Sequence, residues 1–265
     1  WQLYNASAVG MGLDGTSYFY NNPLTCRGGV SRRPWYAVPC CPSNISRTWA
    51  DLDRYLHTVD EKGIRVLQYL SSQVETRHAV LDIESGLPWD GVVHITVNPP
   101  TPGTEFTLSL RLQFWSLQTK VLLNAEPLEL PPAPAARLTG AGIDPAASCW
   151  LDIQRKWSPG DRIELQLDMS IRLLQPHPNV KGHRGMAAIS RGPLVYCLES
   201  TDNPGTDIFT AQLDPEMLCP EYRPDLLGGC TVLTGSSTQS TSLQMIPYFL
   251  WGNRGESRMT TWVNL

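Results

Sequence analysis

Phe106-Thr107-Leu108-Ser109-Leu110-Arg111-Leu112-Gln113-Phe114 carries an apolar residue at every second position. A period of two is that of a strand with one buried face, because successive side chains point to opposite sides of the pleat. A helix would spread the same apolar residues around its circumference. This stretch sets the expectation for most of the chain.

The pattern repeats outward from it. Val93, Ile95 and Val97 alternate around His94 and Thr96, and Val121-Leu122-Leu123 runs into a turn at Asn124-Ala125-Glu126-Pro127. Trp150 to Trp157, the turn Ser158-Pro159-Gly160-Asp161, and Ile163, Leu165, Leu167 and Met169 read as a hairpin. A second β-rich block opens near Ile171. Within it, Gly185 to Glu199 reads as two strands joined at Arg191-Gly192-Pro193, with final strands at Thr231-Val232-Leu233 and Thr260-Thr261-Trp262-Val263. Pro127 to Pro145 and residues 200–228 read as loop, and Ile246 to Gly255 as an aromatic segment ending in a turn. Short strands punctuated by Pro and Gly predict antiparallel sandwiches.

The first sixty residues read differently. Residues 1–13 look helical and end at Gly10 and Gly12, and Ser17-Tyr18-Phe19-Tyr20 is a short strand candidate. Residues 24–39 form a polar loop holding Arg27, Arg32, Arg33 and Trp35. Then comes Pro39-Cys40-Cys41-Pro42-Ser43-Asn44-Ile45-Ser46-Arg47. Ile45, Trp49, Leu52 and Leu56 fall on one helical face, which predicts a helix to about Thr58. Pro42 suits the first helical position, making Cys41 the N-cap. Free N–H groups and the helix dipole favour an anion there, and a thiol so placed ionises readily. Two readings follow for Cys40 and Cys41: a nucleophile or metal site, or two small buried hydrophobes at a helix start.

The 265 residues are 42% hydrophobic and 17% charged, an ordinary globular balance with room for more than one domain. A net charge of −4 gives no basic surface, so neither nucleic acid nor an anionic membrane is expected as partner. No apolar run is long enough to cross a membrane as a helix. The seven cysteines, Cys26, Cys40, Cys41, Cys149, Cys197, Cys219 and Cys230, are odd in number and irregularly spaced. That is unlike a disulfide framework and favours a reducing compartment such as the cytoplasm. His57, His78, His94, His177 and His183 form no ligand pair at helix spacing. Trp1 to Val9 has neither a basic start nor a signal-peptide pattern, so the chain is expected to continue from a longer protein.

Several stretches are recognisable together and in order. They are Leu3-Tyr4-Asn5, Tyr18-Phe19-Tyr20-Asn21-Asn22-Pro23-Leu24, the Cys40-Cys41-Pro42 segment, Leu87-Pro88-Trp89-Asp90-Gly91, Arg191 to Glu199, Pro224-Asp225-Leu226-Leu227-Gly228-Gly229 and Pro247 to Gly255. The sequence resembles glycoside hydrolase family 127, the β-L-arabinofuranosidase family, along nearly its whole length.

The resemblance implies a mainly β chain: two antiparallel β-sandwich domains, at 61–172 and 173–265, preceded by the last helices of an (α/α)6 barrel catalytic domain at 1–60. It implies a retaining exo-glycosidase that removes non-reducing terminal β-L-arabinofuranose with a zinc-bound cysteine thiolate as nucleophile. Carried over, Cys40 is nucleophile and zinc ligand, and Cys41 is a zinc ligand. Zinc deprotonates a coordinating thiol outright, so one ion suits both roles. Tyr20 resembles a motif tyrosine near the sugar, and Trp35, five residues before Cys40, is a candidate for the sugar pocket. Cys26 has no support as a further ligand. The acid/base Glu and the remaining ligands are expected upstream of Trp1, while Glu61, Glu75 and Glu84 are expected at the surface. The implied partner is an arabinose-containing oligosaccharide or glycoconjugate, and a homodimer is compatible with the sequence. The alternative function is a non-catalytic β-sandwich module with a carbohydrate-binding or structural role.

Overall fold

The computed structural model describes residues 1–131, 149–237 and 241–265. One compact unit comprises Trp1–Trp49 and Ser170–Leu265, and the other comprises the described residues from Ala50 to Met169. Both are built mainly of strands. Most of the loop expected from Pro127 to Pro145 lies outside the described residues.

The N-terminal segment is more broken than the expected helix over 1–13. Leu3–Ser7 is a π-helical turn and Ala8–Gly10 a 3-10 turn. Asn5 is engaged elsewhere: its amide donates to the Pro193 carbonyl (2.7 Å) and accepts from the Val195 N–H (2.8 Å). Residues 17–20 form no strand, because Tyr18 alone bridges to Met11 and Arg33. Strand β1 is Thr25–Cys26 and helix α1 is Cys40–Ala50.

Helix α1 departs from expectation at both ends. The Ser43 N–H donates to the Pro39 carbonyl (3.0 Å), so Cys40 and Cys41 lie inside the first turn and Pro42 is its third residue. Proline is still tolerated there, since its missing N–H is one the helix leaves unpaired anyway. The helix stops at Ala50 rather than Thr58. Leu52–Tyr55 tightens to a 3-10 turn, and His57–Val59 becomes strand β2. Pairing of β2 with β3 (Gly63–Val66), from His57↔Val66 to Val59↔Ile64, overrides the helical spacing of Leu52 and Leu56.

The unit from Ala50 to Met169 continues with β4 (Ser72–Glu75), β5 (Val80–Ser85), β6 (Val92–Asn98) and β7 (Thr104–Leu112). It ends with β8 (Lys120–Leu123), β9 (Glu126–Pro127), β10 (Cys149–Trp157) and β11 (Asp161–Gln166). Two sheets result, of order β10-β7-β3-β2 and β4-β5-β6-β11-β8-β9. All pairs are antiparallel except β3 with β7, which is parallel. The alternation read from sequence is the alternation of burial. Phe106, Leu108, Leu110 and Leu112 are buried in one sheet, and Val93, Ile95 and Val97 in the other. Each of the two sheets thus carries a buried apolar face.

Strands β10 and β11 are not a hairpin. β10 pairs with β7, and β11 with β6 and β8, so the turn at residues 158–161 crosses from one sheet to the other. Buried Asp161 closes this corner, accepting from the Asn124 amide (2.8 Å) and the Ser158 N–H (2.8 Å).

The C-terminal part of the other unit holds β12 (Ile171–Leu174), β13 (Met186–Arg191), β14 (Leu194–Glu199) and β15 (Cys219–Arg223). It continues with β16 (Cys230–Ser236), β17 (Ser242–Pro247), β18 (Met259–Thr260) and β19 (Trp262–Asn264). With β1 they make a nine-stranded sheet. β13 and β14 pair only beside their turn, at Ser190↔Val195 and Arg191↔Leu194. Beyond it they diverge, β13 to β12 and β19, β14 to β17 and β18. β1 pairs with β18, so the loop leading to α1 is hydrogen-bonded to the C-terminal strands. None of the seven cysteines is in a disulfide. Among the described residues, no helix is long and apolar enough to cross a membrane.

Candidate active site

The site rests on a buried ionic cluster at the end of β14. Glu199 is fully buried and accepts from the Gly252 N–H (2.9 Å), the Ser257 hydroxyl and the Arg254 guanidinium. The same guanidinium reaches both carboxylate oxygens of Asp202 (2.7 and 2.6 Å). Bonding to Asp202 first, and then to Glu199, holds the Arg254 pKa above its usual value. A buried carboxylate needs such pairing. The consequence here is a fixed course for residues 252–257 and for Trp251 just before them.

Trp251 carries that rigidity forward. Its buried ring stacks on Phe19, with centroids 4.6 Å apart and planes 18° from parallel. The Arg32 guanidinium sits 4.1 Å from the Phe19 ring and donates to the Val9 (3.0 Å) and Trp251 (3.1 Å) carbonyls. Burial lowers the Arg32 pKa to about 10. Phe19 is thus held on a cation and a tryptophan, and the next residue is Tyr20.

The Tyr20 hydroxyl lies 3.3 Å from Cys40 Sγ, and Cys41 Sγ lies 3.8 Å from Cys40 Sγ. The thiol of Cys40 ionises below its usual value, chiefly because the Tyr20 hydroxyl and then the Cys41 thiol bond to the thiolate. Bonding to Cys40, and then to Cys41, pushes Tyr20 up to about 12. The position of Cys40 in the first turn of α1 adds the positive end of the helix dipole. Its carbonyl is fixed by the Asn44 amide (2.7 Å) and the Ser43 hydroxyl (3.2 Å). Cys40 is exposed. Tyr20 also lines an open cavity of about 700 Å³, together with Asn21, Ser31, Arg33, Tyr36 and Val38 among others.

Three family models match the chain in succession. The GH127 catalytic domain of β-L-arabinofuranosidase matches residues 1–54, the GH127 middle domain residues 63–169, and the glycoside hydrolase family 127 C-terminal domain residues 171–264. The chain belongs to glycoside hydrolase family 127. A non-reducing end β-L-arabinofuranosidase of Bifidobacterium longum is 29% identical over 97% of this chain and 44% of its own length. The crystal structure of a GH127 β-L-arabinofuranosidase from Geobacillus stearothermophilus T6 superposes with a TM-score of 0.86 at 32% identity. That match covers 99% of this chain and 45% of the other. A second solved GH127 β-arabinofuranosidase gives 0.84 at 30% identity, covering 99% and 44%. The chain therefore spans under half the length of the relatives it matches.

Within this family member, the residues singled out in the sequence separate into two groups. Tyr20, Cys40 and Cys41 come together. Trp35 is half exposed and sets its ring edge-on to Tyr18 (5.5 Å), whose hydroxyl in turn accepts from Ser46 of α1 (3.4 Å). Cys26 is buried, with its sulfur near the Gly28 (3.8 Å) and Ser257 (4.0 Å) carbonyls. Glu61, Glu75 and Glu84 are exposed. Among the described residues, no group of three His, Cys, Asp or Glu side chains gathers as a metal site. Asn44, Arg32 and Tyr36 escaped the sequence reading. Asn44 had a legible signal, an amide four residues after a helix-starting cysteine. The other two are a polar and an aromatic residue in an irregular loop, where no periodicity exists to mark them.

Proposed function

We propose that the intact protein is a retaining exo-glycosidase that removes non-reducing terminal β-L-arabinofuranose from an arabinose-containing oligosaccharide or glycoconjugate. Residues 1–60 then close an (α/α)6 barrel whose other helices lie outside this chain. The observation that carries the reading is the Tyr20 hydroxyl 3.3 Å from an exposed Cys40 at a helix start, in a chain of this family.

In this reading the Cys40 thiolate attacks the anomeric carbon as the bond to the leaving oxygen breaks. That oxygen takes a proton from a carboxylic acid outside residues 1–265. Water then attacks the same carbon while giving a proton to the carboxylate left by the first step, the sulfur–carbon bond breaks, and the thiolate and the carboxylic acid are restored. Sulfur replaces the carboxylate nucleophile of the usual retaining scheme. Tyr20 donates to the sulfur and fixes its lone pairs, and Asn44 fixes the backbone that carries it.

Cys40 and Cys41 suit two corners of a zinc site. Two sulfurs about 2.3 Å from a tetrahedral zinc stand about 3.8 Å apart, and the observed separation is 3.8 Å. Bound there, zinc would keep both thiols deprotonated at neutral pH.

The test is hydrolysis of p-nitrophenyl β-L-arabinofuranoside by the intact protein, with zinc measured on the same sample. Turnover that falls by about six orders of magnitude in Cys40→Ser is expected, the scale on which loss of a nucleophile acts. Near-normal turnover in that variant would remove Cys40 from the chemistry. Neither turnover nor zinc in the wild type would favour a non-catalytic β-sandwich module.

A further inference from the structure

We propose that Tyr36 is a positioning residue that sets Tyr20 against Cys40. This inference rests on the site reading given above and adds a residue to it.

The geometry begins where backbone pairing ends. Tyr18 and Arg33 exchange two backbone hydrogen bonds, Tyr18 N–H to Arg33 (2.8 Å) and Arg33 N–H to Tyr18 (2.9 Å). Phe19 N–H donates to the Gly10 carbonyl (3.0 Å). At Tyr20 no ladder continues. Its N–H donates instead to the Tyr36 hydroxyl (3.2 Å), and that hydroxyl donates to the Tyr18 carbonyl (3.0 Å). One side-chain oxygen thus spans the peptides on both sides of Phe19, doing for Tyr20 what the missing strand partner would do. The Tyr36 ring also lies against the Tyr20 ring, with centroids 5.2 Å apart and planes tilted by 56°.

Tyr20 is therefore held at its backbone and its ring by one residue, while its hydroxyl meets the sulfur. Tyr20 is partly exposed and lines the open cavity. Tyr36 does not bond to the sulfur in this arrangement. Its effect on Cys40 passes through Tyr20, and that route makes a distinctive kinetic prediction. Removing the Tyr36 hydroxyl matters only while Tyr20 has a hydroxyl to place. A merely structural role for Tyr36 would be indifferent to Tyr20→Phe.

The experiment is a double-mutant cycle in the intact protein, with wild type, Cys40→Ala, Tyr36→Phe, Tyr20→Phe and the Tyr20→Phe/Tyr36→Phe double variant. Hydrolysis of p-nitrophenyl β-L-arabinofuranoside and thermal unfolding are followed for each. Tyr36→Phe is expected to lower kcat about tenfold with KM within about twofold, the scale of a modest misplacement of a reacting group. In the Tyr20→Phe background the same change is expected to cost less than about twofold. An inactive wild type, or turnover that survives Cys40→Ala, overturns the site reading and the role of Tyr36 with it. Turnover lost in Cys40→Ala but unchanged in Tyr36→Phe overturns the Tyr36 role alone. An equal loss in both backgrounds does the same, and assigns Tyr36 to the fold.

Discussion

Phe19 stacks on Trp251 in a near-parallel pair, and through it the loop that carries Tyr20 rests on a segment more than two hundred residues later in the chain. The approach is close because residue 252 is glycine. Its φ of +67° is left-handed, and a Cβ built there would stand 2.7 Å from the far edge of the Phe19 ring.

Gly252→Ala is accordingly expected to destabilise this unit by about 1–3 kcal/mol, from left-handed strain together with overpacking against the ring. Because the displaced ring is Phe19, turnover should fall along with stability. Thermal unfolding and kcat of the intact protein check this. An unchanged Tm would mean that the Phe19–Trp251 stack yields freely and does not support the site.

Arg254 tests the platform from beneath. Arg254→Leu leaves Glu199 and Asp202 as facing carboxylates with no cation between them, and Glu199 is fully buried. Breaking such a pair costs about 3–5 kcal/mol. Arg254→Lys keeps the charge but cannot bond both carboxylates with a planar fork, so an intermediate loss is expected. A Tm for Arg254→Lys equal to that of the wild type would show that charge alone, without the bidentate geometry, holds the segment.

Which side of each strand is buried was legible because alternation reports burial directly. Val93, Ile95, Val97, Leu108 and Leu110 are each fully buried, as their spacing required. Alternation does not report partners. The sequence on either side of Ser158-Pro159-Gly160-Asp161 looks the same for a hairpin as for the sheet-to-sheet crossing that β10 and β11 make. Helix α1 was legible near its start, where proline and the apolar spacing agree, although it begins at Cys40, two residues before Pro42, and its end was not legible. There a strand pairing formed by Ile64 and Val66 recruits His57–Val59 out of a helical pattern. At the site, Cys40 and Cys41 stood out by chemistry. Tyr36 did not, because its function lies in a hydrogen bond to residues sixteen and eighteen positions away.

The parallel β3–β7 pair is a feature no pattern announced, and it depends on Gly63. A Cβ there would stand within 1.9 Å of the Thr107 carbonyl oxygen, which is backbone and cannot swing aside. Gly63→Ala is expected to part β3 from β7 and cost about 3 kcal/mol or more, at the severe end of overpacking. Amide exchange should then quicken at Ile64 to Val66 first. Native protection of those amides in the variant would mean that the sheet accommodates a side chain there after all.

A Cys41 variant can separate the proposed metal binding from the proposed attack. Its sulfur is 3.8 Å from Cys40 Sγ, yet the bond from Tyr20 is made to Cys40. If the two thiols share one zinc, Cys41→Ser removes a ligand and leaves the nucleophile in place. Zinc content of the intact protein should then fall well below about one per chain, and turnover should fall with it, since a hydroxyl is a far poorer zinc ligand than a thiolate. Cys40→Ala in parallel should lose turnover whatever zinc remains. Full zinc occupancy in Cys41→Ser would take Cys41 out of the metal site and leave it as a half-buried helix-start residue beside the nucleophile.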